Sequence, residues 1–305
     1  MQELLDNLVK INLPLTHKGK VANYIPALAR ADIDNLGVCV IDMSGNSYAS
    51  GDYRTLFTIQ SISKTISFML ALLDTGEEKV FTKVGMEATG DRFNSIYKLE
   101  TADVSKPLNP MINAGAIAVC SLIKGRNGEE KFERLLNLFK KITGNKELKV
   151  NEEVYRSERE TGNKNRAMAY LLKDMGILEE NPEEILNVYF KQCSIEVSCV
   201  DIAKIGLLLA NEGRLPFTGE EIASKRIARI IKTFMVTCGM YDASGEFAIE
   251  VGIPAKSGVG GGIMASVPHK MGIGAYGPSL DNKGNSVGAW GILEGLSAEL
   301  NLSIF

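Results

Sequence analysis

Residues 57–76 read FTIQSISKTISFMLALLDTG, and they decide how the chain is understood. Ser61 stands three residues before Lys64, and a long apolar run follows. Lysine is ordinarily a solvated surface residue. Here one sits at the mouth of a helix whose other residues belong to a core. On a helix, positions i and i+3 lie on one face with Cβ atoms roughly 5–6 Å apart, so Lys64 can reach the Ser61 hydroxyl. The positive end of a helix dipole disfavours a lysine cation and favours an oxyanion. Both effects suit a neutral lysine that takes the proton of a nucleophilic serine, with backbone N–H groups free to hold a tetrahedral intermediate. The alternative is a serine cap beside a surface lysine, and S-x-x-K alone does not separate the two.

The chain has 305 residues, 45% hydrophobic and 23% charged, with a formal net charge of -3. That composition belongs to a globular protein of one large domain or two coupled lobes. The mild acidic balance gives no electrostatic reason to expect nucleic acid or an anionic membrane as partner. No run approaches the roughly 18–20 apolar residues of a membrane span. The first fifteen residues, MQELLDNLVKINLPL, alternate apolar and charged positions at helical spacing and carry no signal-peptide pattern, so a cytoplasmic protein is expected. The five cysteines (Cys39, Cys120, Cys193, Cys199, Cys238) are scattered and form no C-x-x-C. They suit free thiols in a reducing compartment, with neither a disulfide frame nor a zinc site.

Outward from the opening stretch, LGVCVID (36–42) is a short apolar run of a buried strand. The middle is helical: 129–143, 163–176, 182–193, 200–213 and 224–239 repeat apolar residues every three or four positions. Towards the end, GEFAIEVGI (245–253), GVGGGIMASV (258–267) and KMGIGAYG (270–277) read as strands of an antiparallel meander, and 286–302 closes the chain as a helix. Strands at both ends predict an α+β fold in which the termini share an antiparallel sheet flanked by helices. An α/β lobe of roughly 1–74 and 241–305 would face a helical lobe of roughly 75–240, with the active site in the cleft between them.

Three further features bear on chemistry. Lys256-Ser257-Gly258 stands just ahead of a glycine-rich strand, and glycine in a strand marks close approach of another group. S-x-x-K on a helix followed by K-T-G on a strand is the pattern of penicillin-recognising enzymes, and here serine replaces threonine. A phosphate loop does not fit the glycines, because no G-K-[ST] follows them. Tyr241, in CGMYDASGEF (238–247), is placed where a helix gives way to the sheet. With a lowered pKa it could shuttle protons, although a lone tyrosine more often simply packs. His17 and His269 are the only histidines, and neither has a motif around it. A Ser-His-Asp triad would lack a G-x-S-x-G elbow, so both are expected at the surface.

These residues resemble a serine-dependent glutaminase of the β-lactamase-like superfamily, in its short bacterial form. The resemblance runs through YIPALA (24–29), FTIQSISK (57–64), NPMINAGAI (109–117), SERETGNKNRAMAYLL (157–172), VYFKQCSIEVSC (188–199), CGMYDASGEFA (238–248) and GIPAKSGVGGGI (252–263). It implies the β-lactamase/transpeptidase-like fold and hydrolysis of L-glutamine to L-glutamate and ammonia through an acyl-enzyme, with no metal or other cofactor. It implies Ser61 as nucleophile, Lys64 as base, Tyr241 as the residue that moves the proton and meets the leaving ammonia, and Tyr24 at the border of the site. The N–H groups of Ser61 and Val259 would form the oxyanion hole, and Asn113, Glu158, Asn165 and Tyr189 would hold the amino-acid end. A homodimer or homotetramer is also implied. Charge pairing supports the recognition set, since a buried ammonium and carboxylate each need a partner. Asn113 lies in an apolar run, where a polar residue must be satisfied or functional. Glu158 lies in a charged run that would ordinarily be a solvated face. A β-lactamase or cell-wall peptidase on the same scaffold, and a binding protein on a retired one, stay open.

Overall fold

The computed structural model describes residues 1–23, 25–88, 95 and 106–305. Its main sheet has five antiparallel strands in the order β3-β2-β8-β7-β6, namely β2 (Gly37–Asp42), β3 (Ser47–Gly51), β6 (Ala255–Ser257), β7 (Gly262–Val267) and β8 (Met271–Tyr276). Two short pairs flank it: β1 (Lys20–Val21) with β9 (Ser279–Leu280), and β4 (Phe57–Thr58) with β5 (Glu196–Val197). The strands from the two ends of the chain meet where β2 pairs with β8, as the α+β reading requires.

Both faces of the sheet are covered. Val38 and Val40 join one apolar cluster with Ile263, Ala265, Ile273 and Ala275, and the terminal helices Gln2–Asn12 and Val287–Leu300 cover it through Leu5, Leu8, Ile292 and Leu296. Cys39, Ile41, Met264 and Tyr276 face the other way, into a cluster continuous with the central helices. Period-two alternation therefore sorts the strand residues onto two buried faces.

The helix Cys199–Ala210 packs directly on β8, β7 and β2. Sequence placed it in the helical lobe, whereas it forms a layer of the sheet. The glycines of β8 let it approach: a Cβ on Gly274 would lie 2.1 Å from the Cys199 carbonyl oxygen, and one on Gly272 would lie 2.0 Å from that of Ala203. Its start is fixed by a capping box between Ser198 and Asp201.

The predicted strand over 245–253 is instead a two-turn helix, Ser244–Glu250. Its alternation of Phe247, Ile249 and Val251 satisfies a strand pattern, but Phe247 and Val251 are also spaced i, i+4. In the structure both are buried while Ile249 is 88% exposed. The third strand of the meander is β6, immediately after it. Residues 258–261, expected as strand, form a tight turn closed by Gly258 N–H to the Gly262 carbonyl and Gly261 N–H to the Gly258 carbonyl, both 2.9 Å.

The helical layer consists of Lys64–Lys83, Asn113–Ser121, Gly128–Thr143, Glu152–Thr161, Asn163–Asp174, Pro182–Cys193 and Lys225–Cys238. All five cysteines are buried free thiols, and both histidines are exposed beside carboxylates, His17 with Asp34 and His269 with Glu212. No helix among the described residues is long and apolar enough to cross a membrane.

Candidate active site

Ser61 lies on a single 3-10 turn, Gln60–Ser63, and the α-helix begins at Lys64. The sequence reading put both residues on one α-helix. A 3-10 turn has three residues per turn, so i and i+3 eclipse, and Ser61 and Lys64 still share a face. Thr65 to Leu72 behind them are all buried, which anchors the pair in the core. Gln60 leads into the turn with φ +48, a left-handed conformation that is uncommon for a residue with a side chain.

Lys64 is fully buried. Its Nζ donates to the Met111 carbonyl (3.1 Å) and to Asn113 Oδ1 (2.7 Å). Burial lowers its pKa from 10.5 to about 8, although the nearby Cys193, Glu158 and Cys120 pull it the other way. Burial, which the sequence reading did not invoke, is the leading cause of the lowered value. A neutral amine has two N–H bonds and one lone pair. The two acceptors use both N–H bonds, which leaves the lone pair for an incoming proton.

Tyr241 is buried with φ +57. Its hydroxyl donates to the Ser257 carbonyl (3.2 Å) and also contacts the Ser61 side chain and the Val259 N–H. Its pKa is raised, chiefly by burial. The direction is opposite to the lowered value considered from sequence and favours the neutral phenol, which can both donate and accept and so relay a proton.

The turn carrying Val259 is held against the Ser61 turn. A Cβ on Gly258 would lie 2.8 Å from the Ile59 carbonyl oxygen, and one on Gly260 would lie 2.5 Å from that of Thr58. The glycine run therefore brings two backbone segments together, as the close-approach argument required.

A cavity of about 290 Å³ opens in front of Ser61. Asn113, Glu158, Asn165, Tyr189 and Val259 line it with Ser61. The structure thus gathers every candidate substrate-binding residue at its wall except Tyr241, which contacts the Ser61 side chain. Tyr24 lies outside the described residues. Glu158 is 7% exposed, so the charged run around it turns one carboxylate inward. Burial raises its pKa to about 7, against the opposing pull of a Gln60 hydrogen bond and the Lys64 charge. Asn113 Nδ2 donates to Asn165 Oδ1 (3.0 Å), and Tyr189 contacts the Cys193 thiol.

Two residues escaped the sequence reading as site members. Gln60 lines the same cavity, touches Glu158 and donates to Thr58 Oγ1 (3.2 Å). Nothing marked it beyond its place before the serine. Lys256 was noted only as part of K-S-G. It is fully buried beneath the Tyr241 ring, 4.4 Å from the centroid, and donates to the Gly239 (3.0 Å) and Ser257 (2.7 Å) carbonyls. Burial, with the Lys64 charge second, pushes its pKa well down. Among the described residues, no three His, Cys, Asp or Glu side chains converge as metal ligands.

The arrangement offers a serine, a buried amine whose pKa is lowered to about 8, a phenol and two backbone N–H groups around a cavity with a carboxylate at its wall. Residues 19–305 match the glutaminase family model. A glutaminase of Clostridium tetani is 57% identical over 305 residues, covering all of both chains. A solved probable glutaminase of Bacillus subtilis superposes with a TM-score of 0.94 at 43% identity, covering 100% of this chain and 97% of that one. Another structure is the covalent complex of a Bacillus subtilis glutaminase with 5-oxo-L-norleucine, formed by reaction with 6-diazo-5-oxo-L-norleucine. It is 42% identical with a TM-score of 0.90, covering 100% of this chain and 99% of that chain.

Proposed function

The chain belongs to the glutaminase family, and we propose that it converts L-glutamine and water to L-glutamate and ammonia through an acyl-enzyme on Ser61. The observation that carries this reading is the single cavity whose wall holds Ser61, Glu158 and the two asparagines, with the Lys64 amine buried behind it.

Ser61 Oγ attacks the side-chain carbonyl carbon while the Lys64 lone pair takes its proton. The negative charge on the carbonyl oxygen is held by the Ser61 and Val259 N–H groups. In the free protein the Val259 N–H rests on the Tyr241 hydroxyl, so substrate exchanges one acceptor for another. Collapse expels the amide nitrogen as ammonia, with the proton passed by Tyr241. Water then attacks the acyl-enzyme, and Lys64 serves again as base. At the other end Glu158 pairs with the substrate ammonium, while Asn165 and Tyr189 donate to its carboxylate. Glu158 argues against a β-lactam, which brings a carboxylate and no ammonium to that place.

In this proposal the two lobes work as one catalytic domain, and the protein assembles as a homodimer or homotetramer in the cytoplasm. The unpaired buried thiols support the reducing compartment, and sedimentation tests the assembly. The activity is tested by ammonia release from L-glutamine. The intact protein should release it and Ser61→Ala should not. An inactive intact protein refutes the reading, and hydrolysis of a chromogenic β-lactam with glutamine untouched favours the rival enzyme.

A further inference from the structure

We propose that Asn165 is a positioning residue for the base Lys64, acting through the Asn113 carboxamide, so that the amino-acid end of the substrate reaches the proton-transfer step. The inference rests on Ser61 as nucleophile and Lys64 as base.

Lys64 Nζ has two acceptors of different character. The Met111 carbonyl belongs to a backbone segment pinned by its own N–H to Asn109 Oδ1 (2.9 Å). Asn113 Oδ1 is the end of a side-chain amide, whose terminal torsion is broad and roughly two-fold. Turned over, that amide would present Nδ2 to Lys64. It would then donate into the amine lone pair, which is the group that must receive the Ser61 proton. The face Asn113 shows is fixed by its second contact: Nδ2 donates to Asn165 Oδ1 at 3.0 Å. Asn165 sits on a different helix, Asn163–Asp174, and lines the cavity.

With Asn165 Oδ1 accepting from Asn113, the N–H donors of the Asn165 amide stay available to the cavity. A substrate carboxylate that accepts from Nδ2 holds Oδ1 on Asn113, and Asn113 holds Oδ1 on Lys64. Each bond polarises the next. The chain then gives its largest stabilisation when Lys64 takes the proton and becomes a cation. An amide lacking the α-carboxylate leaves the chain slack, so discrimination falls on kcat as well as on KM.

The test separates substrate contact from base positioning by using a probe without α-groups. An uncharged alkyl fluorophosphonate reacts as Ser61 Oγ bonds to phosphorus, fluoride leaves and Lys64 takes the proton. Its labelling rate at Ser61 is followed by intact mass across pH. Asn165→Ala is expected to label about tenfold more slowly, with the pH midpoint of labelling moved down because the lysine cation loses an oriented acceptor. Asn165→Asp keeps an oxygen acceptor for Asn113 but cannot donate to a carboxylate. It is expected to recover the labelling rate while glutamine turnover stays low. Should Asn165→Ala misfold, Asn165→Ser, which also lacks the amide oxygen, takes its place with the same expectation. Labelling of the Ala or Ser variant at the wild-type rate and midpoint overturns the proposal, as does failure of Asn165→Asp to recover. A wild-type protein that is unlabelled at Ser61 and inactive on glutamine refutes the nucleophile reading instead.

Discussion

Two titratable groups of the site, Lys64 and Glu158, set a steep acid limb. Lys64, at about 8, must be neutral to take the serine proton, and Glu158, at about 7, must be ionised to pair with the substrate ammonium. Both groups have to lose a proton, so activity falls as pH falls. At pH 6 about one Lys64 in a hundred and one Glu158 in eleven is deprotonated, so the competent fraction is about one in a thousand. Because kcat/KM reports the free enzyme, log kcat/KM should fall about a thousandfold from pH 9 to pH 6 and approach a slope of two below pH 7. Glu158→Gln removes one ionisation. It also removes the anion that raises the Lys64 pKa. The variant should therefore show a slope of one and a midpoint below about 8. At its own optimum it should lose roughly 30-fold or more in kcat/KM, since stripping one partner from a buried charge pair costs about 2–5 kcal/mol. Coupled ammonia release from pH 5.5 to 9 measures this. A variant that keeps the slope of two, or a midpoint that rises, refutes the pairing of Glu158 with the ammonium and its coupling to Lys64.

Other expectations follow from single contacts. Lys64→Ala should lose several orders of magnitude in kcat, as the amine proposed to take the serine proton is gone, and single-turnover acylation checks it. Tyr241→Phe deletes the hydroxyl between Ser61 and Ser257. It should lower kcat by about 10²–10⁴ with little change in thermal midpoint, because Lys256 still holds the Ser257 carbonyl. Gly260→Ala puts a Cβ 2.5 Å from the Thr58 carbonyl oxygen. The Val259 turn must then move, at a cost of about 1–3 kcal/mol, and both unfolding midpoint and kcat should fall. Ser198→Ala breaks the capping box and should cost about 1 kcal/mol in urea unfolding while leaving ammonia release per folded molecule unchanged.

The sequence carried β2, β7 and β8 because these strands are buried on both faces, as Val38 and Val40 against Cys39 and Ile41 show, whereas the half-exposed β3 and the three-residue β6 gave no such signal. It failed over 245–253 because nine residues satisfy two periods at once, and only the exposure of Ile249 decides between them. The glycines of 258–262 were legible as close approach, whereas those of β8, on which a helix packs, carried no such reading. Ser61 and Lys64 were legible from spacing, whereas Glu158 was not. A carboxylate in a charged run turns inward only when the fold places it opposite Lys64 and Gln60, and that is a tertiary fact. Gln60 and Lys256 were hidden for the same reason, since their partners lie on a cavity wall and under a ring that no local pattern encodes.

The central claim is that Ser61 attacks the side-chain carbonyl of a bound glutamine, and 6-diazo-5-oxo-L-norleucine, which carries glutamine's amino-acid end, tests it most directly. Treated protein should gain the mass of one 5-oxo-norleucyl group, peptide mapping should place it on Ser61, and excess L-glutamate should slow the labelling. Ser61→Ala and Lys64→Ala should stay unmodified over the same time. A label found on Cys193 or any other residue, or labelling of Ser61 that glutamate does not slow, contradicts the account.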